Sequence, residues 1–161
     1  MDTPNPYGAG SDPRQGRELA DALGLEPLPE EGGLFRRTHI DGHSSAIYFM
    51  LVAPDVSALH RPRSTEVYHW YGGAPLHLLL LHPDGSAEEP VLGPDVVRGQ
   101  QPQLVVPPGV WQGSSTADAW SLCGTTMSPP FGWGGFELGR REPLTAHHPE
   151  KTQRIAELTP R

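Results

Sequence analysis

Cysteine is almost missing. Cys123 is the single thiol in 161 residues, so no disulfide can close within the chain, and the composition fits a reducing compartment. Positive charge is also scarce. Twelve Lys and Arg stand against 19 Asp and Glu, which leaves a net charge of −7 and a pI near 5.5. Without a basic stripe, nucleic acid is not an expected partner. No apolar run approaches the ~20 residues that a membrane-spanning helix needs. The first residues show no charged segment followed by an apolar one. These absences predict a cytoplasmic protein with neither nucleic-acid nor membrane partners. Internal repeats, coiled-coil heptads, phosphate-binding glycine loops and Ser-His-Asp patterns are missing too.

Turn residues, in contrast, are abundant: 19 Gly and 19 Pro. They punctuate short apolar runs, the pattern of an all-β sandwich or barrel, and the length suits one domain with a proper core. Residues 1–16 are rich in Pro, Gly and Asp and read as a disordered tail. Leu19, Ala22 and Leu23 at helical spacing predict a short amphipathic helix over Arg17–Leu25. Strands are predicted at Leu34–Ile40, at Ser44–Val52, at Leu76–Leu81, at Glu88–Leu92, from Leu104 to Pro107, and at Trp120–Met127. Ser44–Val52 is almost continuously apolar, which fits burial on both faces or a strand in a dimer sheet. The Asp84-Gly85 pair marks a hairpin. Residues 141–161 read as a polar surface segment with a frayed helix from Glu150 to Leu158.

The chemically densest stretch is Ser57–Gly73. It opens with the loop His60-Arg61-Pro62-Arg63-Ser64-Thr65, runs through Glu66-Val67-Tyr68-His69-Trp70-Tyr71 and closes on Gly72-Gly73. Alternation along a strand puts Glu66, Tyr68 and Trp70 on one face and Val67, His69 and Tyr71 on the other. A carboxylate on such an aromatic strand needs a partner if buried, and His60 stands just upstream.

This stretch resembles the first motif of the cupin superfamily. His60-Arg61 followed by Thr65-Glu66-Val67-Tyr68-His69-Trp70-Tyr71-Gly72-Gly73-Ala74-Pro75-Leu76 is similar to the pattern of a branch of small bacterial and fungal cupins of largely unassigned function. Pro107-Pro108-Gly109-Val110-Trp111-Gln112 resembles the second cupin motif. Glu31-Gly32-Gly33-Leu34-Phe35-Arg36-Arg37 and Phe136-Glu137-Leu138 also resemble that branch. Leu28, Pro130 and Gly132 depart from it, the last two where its members carry Gly and Asp. The resemblance spans Arg17 to Leu138. It implies a double-stranded β-helix, or jelly roll, with a short N-terminal helix in a domain of residues 17–140, and a homodimer formed through edge strands, for which Ser44–Val52 is the candidate.

Three kinds of chemistry suit these residues. The first is a metal centre. His60 and Glu66, with Gln112 from the second motif, would hold Fe, Mn, Ni, Zn or Cu. Metal-binding cupins usually carry histidine where Gln112 stands, and an amide is the poorer donor. The second is metal-free acid–base chemistry, similar to that of the dTDP-4-dehydrorhamnose 3,5-epimerases, which share the cupin fold. His60 would be the base, Glu66 its orienting carboxylate and Tyr48 or Tyr68 the acid, with Arg36, Arg61 or Arg63 clamping an anionic substrate group. The third is a non-catalytic binding module with Tyr68, Trp70, Trp111 and Trp133 as walls. The expected pocket opens between the two sheets and is lined by His60, Glu66, Tyr48, Tyr68, Gln103 and Gln112. The preferred expectation is a small-molecule enzyme that isomerises, epimerises, cyclises or dehydrates next to a carbonyl. Cys123, mid-strand among apolar residues, reads as a buried, inert thiol.

Overall fold

The computed structural model describes residues 7–160. In chain order the elements are α1 (Pro13–Leu23), β1 (Glu26–Pro27), β2 (Leu34–Ile40), β3 (Ser45–Val52), β4 (Val56–His60), β5 (Thr65–Gly73), β6 (Leu76–Leu81), β7 (Ala87–Glu88) and β8 (Val91–Leu92). They continue with β9 (Gln103–Val106), β10 (Trp111–Thr116), β11 (Trp120–Ser128), α2 (Arg141–His147) and α3 (Thr152–Glu157). One sheet runs β1-β2-β3-β11-β5-β9. The other runs β4-β10-β6, with β7 and β8 both pairing β6. All the strand pairs are antiparallel. This is the all-β jelly roll with an N-terminal helix that the sequence predicts.

Three apolar clusters hold the layers together. Between the sheets, Phe49, Leu51, Tyr68, Leu104, Val106 and Cys123 meet Leu76, Leu78 and Leu80. Met50, Trp120 and Leu122 point the other way, under Ala20 of α1. That second layer accounts for the unbroken apolar run of β3: alternate residues serve different cores. The strand lies inside the sheet, between β2 and β11. It therefore cannot be the edge strand expected to pair with a second copy, because both its ladders are occupied.

The helix begins at Pro13, four residues before the expected start. Asp12 caps it by accepting from the Arg14 N–H at 2.9 Å, Pro13 sits in the first turn, and Gly24 closes it in the left-handed conformation. The expected disordered tail is thus ordered from residue 7 onward. Gly73 N–H donates to the Gly8 carbonyl at 3.1 Å, and Trp120 N–H to the Gly10 carbonyl at 3.1 Å. Residues 1–6 lie outside the described residues.

The C-terminal segment is also built in. Leu144, Ile155 and Leu158 pack against Leu59, Leu79 and Leu81 on the outer face of the second sheet. The few apolar residues of an otherwise polar segment all point one way, and burial there outweighs the charged composition. The expected strand Glu88–Leu92 is split into β7 and β8 around Pro90, which lacks the N–H needed to continue a ladder.

Candidate functional site

The chain crosses from one sheet to the other between His60, the last residue of β4, and Thr65, the first of β5. This crossing forms the floor of a cavity of about 210 Å³ that opens between the sheets. Its walls are Leu28, Phe35, Ile47, Phe49, Met127 and Phe131; its polar lining includes Glu31, His60, Glu66, Tyr68 and Thr125.

His60 is buried, and its ring is held from three sides. Nδ1 lies 2.7 Å from the Ala58 carbonyl oxygen. A carbonyl can only accept, so Nδ1 carries a proton, and in the neutral ring the lone pair is on Nε2. Nε2 stands 3.5 Å from Glu31 Oε1. Phe136 stacks on the imidazole at 5.4 Å between centroids and 20° between planes.

Glu31 reaches this position through a strained turn. Gly32 and Gly33 have φ of +97° and +81°. A Cβ on Gly32 would sit 2.4 Å from the Val56 carbonyl oxygen, and one on Gly33 would sit 2.7 Å from the Phe49 ring. Only glycine fits both the backbone angle and the space. The turn is fixed by the Gly33 N–H to Asp55 Oδ2 (2.8 Å), by the Ala58 N–H to the Glu31 carbonyl (2.8 Å), and by Ser57 Oγ donating to Glu31 Oε2 (2.8 Å).

Glu66 is buried on β5. Burial pushes its carboxyl up from 4.5 to about 7, with the nearby Glu31 adding to the rise. His60, Thr125 and Gln112 act the other way by favouring the carboxylate. Tyr68, on the same face, donates its hydroxyl proton to the Gln112 side-chain oxygen. Burial and the two glutamates hold that phenol well above its usual range. The Gln112 amide nitrogen acts on Glu66 but forms no hydrogen bond of good geometry.

The mouth is aromatic. Phe131, Trp133 and Phe136 pack edge to face, with centroids 4.9 to 6.1 Å apart. The segment carrying them is fastened at both ends. Ser64 Oγ donates to the Pro129 carbonyl at 2.7 Å, Phe131 N–H to Ser45 Oγ at 2.8 Å, and Arg61 N–H to the Glu137 carbonyl at 2.8 Å. Arg37 also lines the cavity. It is exposed, and its guanidinium has no ion pair or hydrogen bond among the described residues.

His60, Glu66, Tyr68 and Trp133 therefore line one cavity, with Gln112 behind Tyr68. Other expected site residues are elsewhere. Tyr48 alternates with the cavity residues Ile47 and Phe49, points out of the opposite face and packs edge-on against Tyr71 at 6.3 Å. Arg36 is likewise on the wrong face, donating to the Leu23 carbonyl at 3.2 Å. Gln103 is exposed and lies 3.5 Å from His69 Nδ1, on the outer side of β5. Trp70 is half-buried and packs against the inter-sheet core. Arg61 pairs with Glu137 at 2.7 Å and covers Trp111 at 4.6 Å. Arg63 lines a separate surface depression with Arg61 and Glu137. Nor is Glu66 the carboxylate closest to the imidazole nitrogen; Glu31 takes that place. Cys123 is buried, which drives its thiol pKa upward and keeps it protonated.

The family profile described as cupin superfamily (DUF985) matches residues 17–139. The chain belongs to this cupin family. A protein from Shewanella oneidensis is 31% identical to it, with a TM-score of 0.83 over 89% of this chain and 96% of that one. A hypothetical protein from Leishmania major is 25% identical, with a TM-score of 0.82 over 90% and 98%. Oxalate decarboxylase from Bacillus subtilis shares the fold at 11% identity, with a TM-score of 0.58 over 83% of this chain and 37% of the decarboxylase. KdgF from Halomonas sp. shares it at 13% identity, with a TM-score of 0.52 over 68% and 90%. No curated protein matches the chain.

Oxalate decarboxylase from Bacillus subtilis has Mn(II) centres; the donor set in this chain differs. The side-chain oxygen of Gln112, its one useful donor atom, already accepts from Tyr68. His69 is on the outer side of β5 with Gln103 and Thr126. Among the described residues no group of three or more His, Cys, Asp or Glu side chains is placed to hold a metal ion. The expected set of His60, Glu66 and Gln112 does not fit a resident transition metal. Among the described residues, no helix is long and apolar enough to cross a membrane.

Proposed function

We propose that this cupin is a small-molecule enzyme that moves a proton at a carbon next to a carbonyl, with His60 as base and Glu66 as acid. The observation that carries the reading is the tautomer of His60. Its Nδ1–H is committed to the Ala58 carbonyl, and its Nε2 faces a cavity beside a carboxylate. When Nε2 takes a proton from the substrate carbon, Glu31 stabilises the imidazolium that forms. Glu66 holds a proton in about half of the molecules at pH 7, since its carboxyl is pushed up to about 7, and gives it to the carbonyl oxygen as the enol forms. Return of both protons restores the enzyme. Tyr68 is not the acid here, because its proton is held by Gln112.

Enolisation is the step shared by isomerisation, epimerisation and dehydration next to a carbonyl. The aromatic and aliphatic walls exclude water around it, and the cavity volume is below the usual range for drug-sized ligands, about 300–1,000 Å³, which favours a compact substrate. The test is deuterium incorporation from heavy water next to the carbonyl of small ketones, followed by NMR. Wild-type protein should catalyse it, and His60→Ala should lower the rate by about 100-fold or more. Ketones that stabilise the protein thermally but exchange no deuterium would make it a binding module instead.

A further inference from the structure

The floor of the cavity carries the acid and the base; the rim carries one unanswered positive charge. We propose that Arg37 is a carboxylate anchor, so that the substrate is a short acid whose carboxylate and carbonyl sit at opposite ends of an apolar chain. The inference rests on the enolisation reading for its carbonyl end only.

Arg37 is the sole lysine or arginine among the described residues that line the cavity. Arg36, its neighbour in sequence, is engaged by the Leu23 carbonyl, and Arg61, at the separate depression, by Glu137. Arg37 has no such partner. A free guanidinium beside an aromatic-walled opening is a two-pronged site that matches a carboxylate. A phosphate dianion fits less well, because one guanidinium would leave its second charge unmatched over a floor that already carries Glu31.

Strand register sets the length of the molecule. Arg37 pairs with Ile47, Ile47 with Thr125, and Thr125 with Tyr68, while Glu66 is the next inward residue on β5. Three strand spacings separate the Arg37 backbone from the backbone that carries the floor, about 14 Å at ~4.8 Å per strand. Arg37 and Glu66 thus line the same cavity from strands three apart. What lies between is apolar: Ile47, Met127, Phe35 and Phe131. The proposed acid therefore carries methylenes between its carboxylate and its carbonyl.

The probes are levulinate, its homologue longer by two methylenes, and the neutral amide of each, titrated by calorimetry against wild type, Arg37→Gln and Arg37→Lys. Wild type should bind each acid more tightly than its amide, and the longer acid more tightly than levulinate. In Arg37→Gln the acid-to-amide preference should shrink by about tenfold or more, and Arg37→Lys should restore part of it. Equal binding of acid and amide by wild type, an unchanged preference in Arg37→Gln, or failure of both acids to bind would overturn the anchor. Deuterium exchange on the same samples separates the two proposals. Acid preference lost in Arg37→Gln without any exchange in wild type upholds the anchor and rejects the enolisation; exchange without acid preference does the reverse.

Discussion

Glu31 Oε1 stands 3.5 Å from Nε2 of His60, held there by the Ser57 hydroxyl on its other oxygen. A carboxylate in that place stabilises the imidazolium without competing for the Nδ1 proton, which the Ala58 carbonyl already holds. Glu31→Gln keeps the shape and removes the charge. The expected outcome is a fall in the deuterium-exchange rate of about tenfold or more, with the circular dichroism spectrum unchanged. An unaltered rate would remove Glu31 from the mechanism.

Glu66 sets a pH dependence of both activity and stability. Its carboxyl titrates near 7 in the folded chain against 4.5 in its ordinary state. Between those values the folded protein binds a proton that the unfolded chain has released. Stability therefore falls as pH rises through that window, and above about pH 7 the whole cost, about 3 kcal/mol, is present. In urea unfolding, the stability of Glu66→Gln relative to wild type should improve by about this amount between roughly pH 4 and pH 8. The catalytic rate should drop above about pH 7, as the acid loses its proton.

Metal removal should be silent. Since Gln112 offers its oxygen to Tyr68, dialysis against a chelator should leave both Tm and deuterium exchange where they were. About one transition metal per chain by elemental analysis, lost in His60→Ala, would overturn this expectation.

The C-terminal segment should be essential to stability. Ile155 is fully buried against the Leu59, Leu79 and Leu81 layer. Ile155→Ala should cost about 2–5 kcal/mol in urea unfolding. A loss well under 1 kcal/mol would mean that the segment rides on the sheet without supporting it.

Much of this arrangement is visible in the sequence because its signals are local. The Asp84-Gly85 hairpin and the alternation of Glu66 with Tyr68 need nothing beyond their neighbours. The Asp12-Pro13 start of α1 is also a local signal, but the Pro- and Gly-rich composition around it reads as a tail and places the helix start four residues late. Glu31 is absent from the expected site residues: its Glu-Gly-Gly turn is a local signal, but its approach to His60 is a tertiary contact that no local pattern marks. Facing was harder. Along β2, Arg36 and Arg37 are chemically alike, and nothing in Leu34–Ile40 says which parity points inward, so the wrong arginine looks as good as the right one. Tyr48 fails for the same reason, because both faces of β3 are apolar and the sequence offers no polar side to mark the exterior. Phe136 and Phe131 lie among Gly and Pro with no period at all, and their place at the cavity follows only from tertiary hydrogen bonds.

One property of β4 bears on how the site would work. The strand that ends in His60 is tied by the Glu31 carbonyl to Ala58, by Leu158 and Gly139 to Leu59, and by Glu137 to Arg61. Segments far apart in the sequence thus converge on its last few residues. The entropy of placing the imidazole is lost at folding rather than at ligand binding, so the ring is preorganised, and the binding energy of a ligand remains available for orienting the ligand itself.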